Sequence, residues 1–302
     1  ELHFTSGATE SINLALKGIA YSNQNTKKNI ITFNTEHKAT LDVCEKLKSS
    51  GYSITYVPVD SEGKINLNSI ENAITNETFL LTILHVNNEI GNIYPVKEIG
   101  ELCKKNNILF HVDGAQSVGK INVNVNNLNI DILSFSSHKI YGPKGIGGLY
   151  IKHKTPKIHF ETILNGGGQE NGIRPGTLAV PNIVGFGKAC EICQLEMVND
   201  DQKILQLRNH LLKGLKKIIP NVKINGELEN RLAGNLNITI PNVKNSSLMM
   251  SLRDIAISNG SACTSRLPEV SHVLKAIGLS KELADSSIRF GIGRFNTIEE
   301  ID

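Results

Sequence analysis

The chain has 302 residues, a formal net charge of +3 and five irregularly spaced cysteines. That length suits two domains at roughly 100–200 residues each, the charge is too slight to imply a nucleic-acid partner, and no apolar run approaches the ~20 residues needed to cross a membrane. The odd cysteine count suggests no disulfide framework, which fits a reducing compartment.

Taken in chain order, Thr5-Ser6-Gly7-Ala8-Thr9-Glu10-Ser11 reads as a Gly-containing turn that opens a helix. The first amides there, from Ala8 and Thr9, could bind a phosphate, aided by the Thr9 hydroxyl; an ordinary Ser/Thr cap reads the same way. A strand over Ile30–Phe33 leads to Thr35-Glu36-His37-Lys38, which puts His37 at a strand end. There it could stack on an aromatic cofactor or move protons near neutral pH. A helical pattern follows over Lys38–Ser49, then strands over Ile54–Val59 and Phe79–Val86. Just beyond, in His85-Val86-Asn87-Asn88-Glu89-Ile90-Gly91, Asn88 could bond both a cofactor hydroxyl and a substrate carboxylate.

A helix over Val96–Lys105 precedes the apolar strand Ile108–Val112, which ends on Asp113. A carboxylate there can hold a pyridinium nitrogen protonated, so that the ring accepts electrons; it can equally be a helix N-cap. Gln116, three residues on, could donate to a ring hydroxyl. The run Ile130–Phe135 is a buried strand ending in Ser136-Ser137-His138-Lys139 before a Gly/Pro turn. A lysine at the mouth of a buried strand is expected to be desolvated, which frees its amine. Such an amine can form a Schiff base with pyridoxal phosphate; a surface lysine in a Gly-rich loop is the ordinary alternative.

A strand over Gly147–Ile151 and a long helix from about Val184 to Ile218 follow. That helix carries Cys190 and Cys193, a C-x-x-C best read as helix packing because no second pair lies near in sequence. Further strands are expected over Val222–Ile224 and Leu236–Ile240, near Ile255–Ser258 and near Ile288–Gly291. Between the last two lies Ser258-Asn259-Gly260-Ser261-Ala262-Cys263-Thr264-Ser265, a small, polar loop. Free cysteines are usually buried, but this composition argues for an exposed, reactive Cys263. Strands alternating with helices predict an α/β fold: a large domain over residues 1–185 with a mostly parallel sheet, and a smaller α+β domain over 186–302 that begins with the linking helix. The candidate site residues fall at strand ends, where ligands bind in open α/β sheets.

These motifs, in this order, resemble the cysteine desulfurases of the IscS/NifS type, pyridoxal-phosphate enzymes of fold type I within the class V aminotransferase-like group. The resemblance runs from Phe4-Thr5-Ser6-Gly7-Ala8-Thr9-Glu10-Ser11 to Ser287-Ile288-Arg289-Phe290, and the Ser261-Ala262-Cys263-Thr264-Ser265 loop is its most telling part. It implies a seven-stranded-type sheet and assigns roles by position. Lys139 is the cofactor-anchoring lysine, Asp113 the pyridine-nitrogen partner, Gln116 the ring-hydroxyl donor and His37 the stacking histidine. Ala8, Thr9, Ser136 and His138 hold the phosphate, and Thr177 reaches the phosphate of a neighbouring subunit. Arg289 grips the substrate carboxylate with Asn88, a task that suits a planar guanidinium. Cys263 is the nucleophile that takes sulfur from L-cysteine, releasing alanine.

The implied partners are a second copy of the chain, an iron–sulfur scaffold protein and other sulfur acceptors, including those for tRNA thiolation. No metal is bound by the chain itself; a persulfide on Cys263 would meet a cluster only transiently, on the scaffold. The implied compartment is the bacterial cytosol or a mitochondrion-type organelle. A selenocysteine lyase, another class V enzyme or a non-catalytic subunit are the alternatives. The chain departs from the usual pattern at Ser137, Pro175, Gly114 and Arg266-Leu267-Pro268-Glu269-Val270. It begins at Glu1, directly before a motif that sits well inside family members, so an N-terminal segment is expected to be missing.

Overall fold

The computed structural model describes residues 1–22, 27–252, 254–258 and 270–302. In chain order the elements are β1 (Leu2–Thr5), α1 (Ala8–Ser22), β2 (Asn29–Phe33), α2 (Lys38–Ser49), β3 (Ser53–Val57), α3 (Leu67–Ala73), β4 (Thr78–Leu84), α4 (Val96–Lys105), β5 (Leu109–Asp113), β6 (Ile132–Ser136) and β7 (Gly147–Ile151). The 39-residue α5 (Val180–Ile218) leads to β8 (Lys223–Ile224), β9 (Asn235–Thr239), α6 (Asn245–Ser251), α7 (His272–Ala276), α8 (Lys281–Ala284), β10 (Ser287–Gly291) and α9 (Ile298–Ile301).

Seven strands form one sheet in the order β1-β7-β6-β5-β4-β2-β3. Pairing from β6 to β3 is parallel, and β7 runs antiparallel to both its neighbours. The central strands β2 and β4 are buried at every position, which is why they read as continuous apolar runs rather than alternating ones. On one face α1 packs against β5, β6 and β7 and against α2. Its Ile12, Leu16 and Ile19 join Ile30, Leu80, Ile132 and Leu149 in a core with almost no solvent exposure. Because β2, β4, β5 and β6 are parallel, their C-terminal ends line one edge of the sheet. Glu36, His37, His85, Asp113 and Lys139 all follow at that edge.

Two compact units emerge. The first comprises Glu1–Val57, Asn66–His85 and Pro95–Leu195; the second comprises Pro58–Ile65, Val86–Tyr94 and Glu196–Asp302. A single cut after residue 185 does not describe this division. The second unit takes in two earlier segments because tertiary contacts hold them. Ile90 packs with Val273, Leu274, Ile277 and Ala284, and the Asn235 and Asn237 amides donate to the Glu89 carbonyl at 3.2 and 3.1 Å. Local periodicity carries no trace of such contacts. The second unit also contains a three-stranded antiparallel sheet, β10-β9-β8.

Three expectations need correction. The strand β1 went unread, being four residues long and followed at once by a Ser-Gly turn. Among the described residues Ile255–Ser258 form no strand, and Ser258 makes an isolated bridge to Arg289. The long helix starts at Val180, four residues early. Cys193 is buried beside Ile140, Ile146 and Phe186 while Cys190 is exposed, and no group of three His, Cys, Asp or Glu among the described residues could hold a metal. No helix among them is long and apolar enough to cross a membrane.

Candidate active site

Asp113 ends β5 and is 2% exposed. The Ala115 N–H donates to its Oδ1 at 2.9 Å, while its own carbonyl accepts from the His85 N–H at 3.0 Å. Burial pushes its carboxyl up to about 6, opposed by the Ala115 hydrogen bond and by the charge of Lys139. A buried carboxylate in this condition gains from a cationic N–H partner, which would restore its charge.

A second carboxyl stands close by. Glu36 is fully buried and takes the Leu84 N–H on Oε1 at 2.9 Å. Burial raises it well above the usual carboxylate range, and the charge of Asp113 raises it further. Both effects favour the neutral form of Glu36, which leaves Asp113 the readier of the two to ionise. Sequence reasoning passed over Glu36; its only signal is an acidic residue three positions after the end of a fully buried strand.

His37 is the N-cap of α2, and its Nδ1 accepts from the Ala39 N–H at 3.1 Å. In the neutral ring that bond puts the proton on Nε2, so this nitrogen faces outward as a donor. One step down β5 from Asp113, His111 is buried between Thr82 Oγ1, 2.7 Å from Nδ1, and Ser134 Oγ, 2.9 Å from Nε2. Burial pushes it down to about 3, so it is a neutral bridge across three strands.

The end of β6, the start of β7 and the start of α1 converge. A Cβ on Gly147 would lie 2.6 Å from the Gly7 Cα and 2.7 Å from the Phe135 carbonyl, so only glycine allows this approach. A Cβ on Gly7 would sit 3.7 Å from Ser136 Oγ. The Thr5 and Ser11 hydroxyls, 2.8 Å apart, brace the turn before Ala8. The Ser136 hydroxyl lies 2.8 Å from His138 Nδ1. His138 is lowered by burial and by the cations Lys139, Lys144 and Lys120. The first amides of α1, the Ser136 hydroxyl and this cluster of cations form a place suited to a phosphate.

Lys139 sits in the 3₁₀ turn Ser137–Ile140 after β6, and its side chain is exposed. The burial that the sequence led one to expect at the mouth of a buried strand is therefore not found. The short turn gives way to a left-handed Tyr141, and the tertiary course of that turn lifts Lys139 clear. The lysine that burial does affect is Lys120, which sequence reasoning missed. Gln116 lies nearby, its carboxamide oxygen 2.8 Å from Lys120 Nζ.

Thr177, Asn88, Arg289 and Cys263 complete the expected set. Thr177 is exposed and lines a 160 Å³ cavity with Phe4, Ser6 and Arg174. Arg289 and Asn88 belong to the second unit, where Arg289 Nη1 donates to the Asn88 carbonyl at 2.7 Å. Cys263 lies outside the described residues.

Residues 1–302 match the family described as aminotransferase class-V. The chain is 53% identical to the cysteine desulfurase IscS of Pasteurella multocida, over all of this chain and 74% of that protein. The chain belongs to the class V aminotransferase family, among the IscS/NifS-type cysteine desulfurases. It is also 51% identical to a probable mitochondrial cysteine desulfurase of Dictyostelium discoideum, over 100% of this chain and 67% of the other. The solved structure of a NifS-like protein superposes with a TM-score of 0.92 at 38% identity, covering 100% of this chain and 79% of that one. The family uses pyridoxal phosphate, and the groups at the sheet edge fit it: a buried carboxyl short of a cationic partner, a phosphate-sized cradle of small residues, and an accessible lysine amine.

Proposed function

We propose that this cysteine desulfurase takes the sulfur of L-cysteine onto Cys263, releases L-alanine and passes the persulfide to acceptors serving iron–sulfur cluster assembly and tRNA thiolation. The observation that carries the residue assignment is the pairing of a fully buried Asp113, pushed up to about 6, with an accessible Lys139 whose charge acts on it. Asp113, Gln116 and His37 would hold the cofactor ring, and Ala8, Thr9, Ser136 and His138 its phosphate. Thr177 would complete that cradle in a second copy of the chain, so the working unit is a homodimer.

When bound, pyridoxal phosphate supplies an aldehyde that captures amines and a ring that accepts electrons. Asp113 would keep the pyridine nitrogen protonated by offering it a buried anion. Burial favours the neutral form of Glu36 beside it. His37 would pack on the ring with its Nδ1 fixed by the Ala39 amide, a positioning role. Arg289 binds the substrate carboxylate, with Asn88 beside it. With the cofactor bound, Lys139 Nζ would be placed to take the proton from the substrate Cα and to return it as alanine forms. The Cys263 thiolate then attacks the substrate sulfur: an S–S bond forms, the Cβ–S bond breaks, and its electron pair ends on Cβ, which is protonated to give alanine. The thiolate is the reactive form of Cys263.

The test is alanine and sulfide release from L-cysteine under reducing conditions. Wild-type protein is expected to release both, and Lys139→Ala to lose roughly 10²–10⁴-fold in rate, as for removal of a general base. Cys263→Ser is expected to abolish persulfide formation. Normal alanine release by Cys263→Ser would sink the reading, and a preference for selenocysteine over cysteine would make the chain a lyase instead.

A further inference from the structure

Lys120 is a half-buried cation beside another cation, and no step of the mechanism above assigns it a role. It lies in the turn that follows Asp113. Hydrogen bonds from Val118 N–H to the Gly114 carbonyl, at 2.9 Å, and from Ile121 N–H to the Ser117 carbonyl, at 3.0 Å, wind this segment helically. That winding puts Gln116 and Lys120, four residues apart, on the same side. Gly119 has φ +72°, and a Cβ there would lie 2.7 Å from Ile140 Cγ2 and 2.9 Å from Cys193 Sγ. The turn is thereby pressed against the 3₁₀ turn that carries Lys139. Burial first, and the Lys139 charge second, push Lys120 down to about 8, so most of it is still an ammonium at neutral pH.

That ammonium donates to Gln116 Oε1 at 2.8 Å. An ammonium has three donors and no acceptor, so it can meet only the oxygen end of a carboxamide. The amide's nitrogen must then point the other way. A free glutamine could turn either end to a ligand; with its oxygen held by Lys120, this one presents its N–H donors on the opposite side.

We propose that Lys120 is a positioning residue: it locks the Gln116 carboxamide in the orientation that donates to the hydroxyl of the cofactor ring. This rests on the assignment of pyridoxal phosphate to Lys139 and Asp113. Donation to the ring oxygen favours its ionised form, and with it the electronic state of the conjugated system, so the lock is visible in the cofactor's absorption band. It also gives a reason to keep a cation where burial and Lys139 both disfavour one.

The experiment records the visible band and its pH titration in cofactor-loaded wild-type protein, Lys120→Met, Gln116→Ala, the double variant and Lys120→Arg, with melting temperatures alongside. Gln116→Ala and Lys120→Met are expected to move the band maximum and titration midpoint in the same direction. The double variant is expected to match Gln116→Ala, and Lys120→Arg, which can also only donate, to stay near wild type. If Lys120→Met fails to fold, Lys120→Gln, whose amide can donate or accept, is expected to move the band likewise. The proposal is overturned if Lys120→Met lowers the melting temperature while band and titration stay put. It is equally overturned if Gln116→Ala leaves them in place, or if the two single shifts add in the double variant, since a through-space charge effect would do that. A wild-type band that survives in Lys139→Ala would instead overturn the cofactor assignment, and this proposal with it.

Discussion

The end of β5 and the turn after β6 occupy the same edge of the sheet and treat their charged groups in opposite ways. Asp113 is 2% exposed and burial pushes it up to about 6; Lys139, in the 3₁₀ turn Ser137–Ile140, is exposed. The difference suits the roles proposed for them. Asp113 would hold one partner, and desolvation would make its need for that partner strong. Lys139 would have to reach a bound cofactor, which its exposure allows. The strand fixes the first group in a dry place, and the turn carries the second out of it.

Removing the buried charge should break the contrast with the largest effect. Asp113→Asn is expected to lower alanine release by roughly 10²–10³-fold, as when a preorganised electrostatic partner is lost. The same substitution should stabilise cofactor-stripped protein at neutral pH. The folded-state value of Asp113 lies above its ordinary 3.8, so the folded chain binds that proton more tightly than the unfolded one. Its contribution is then fully present below about pH 4 and lost as pH rises through about 6, a loss of about 3 kcal/mol. Urea unfolding of the stripped proteins should show the wild type losing stability over that window and Asp113→Asn losing less. Equal pH dependence in both would mean that Asp113 is not desolvated, and the contrast with Lys139 would fail.

A smaller effect is expected where β7 meets the start of α1. A Cβ on Gly147 would meet backbone on both sides, 2.6 Å from the Gly7 Cα and 2.7 Å from the Phe135 carbonyl. Gly147→Ala must push the α1 turn away from Ser136, and overpacking of this kind costs typically 1–3 kcal/mol. Cofactor affinity, read by titrating the stripped protein, should fall along with stability. Unchanged affinity in a destabilised variant would show that the convergence of Gly7, Ser136 and Gly147 is packing alone.

The sheet and much of its edge were legible in the sequence because parallel strands buried on both faces read as unbroken apolar runs. β2, β4, β5 and β6 all announced themselves this way, and the polar residues that end them, Asp113 and Ser136 among them, stood out as interruptions. What escaped depends on tertiary course. The four residues of β1 are too few to show a period. Ile90 and Asn92 join the second unit through contacts far away in sequence. Lys120 was hidden because its polar character suggested solvent, whereas the turn at Gly119 folds its ammonium inward; the i,i+4 spacing from Gln116 was the available clue. Lys139 illustrates the converse: a lysine directly after a buried strand suggested burial, and one turn of 3₁₀ helix was enough to undo it.

Ser137 offers the mildest way to sharpen the comparison, because it stands between the buried strand and the exposed lysine. Its hydroxyl is fully buried and has no hydrogen-bond partner among the described residues. It is held tightly as well, since a Cβ on Gly142 would lie 2.2 Å from Ser137 Oγ. A buried, unsatisfied hydroxyl costs about 1–3 kcal/mol, and Ser137→Ala removes it without opening a cavity larger than one oxygen atom. The variant is expected to gain about 1 kcal/mol, seen as a higher urea midpoint at unchanged slope, with the cofactor band where it was. The band should hold because Ser137 points into the packing beneath the turn and Lys139 points out of it. A loss of stability would show that the hydroxyl is satisfied after all. A moved band would show that the packing under the turn and the lysine above it are coupled, so that the site tolerates less freedom at Lys139 than its exposure suggests.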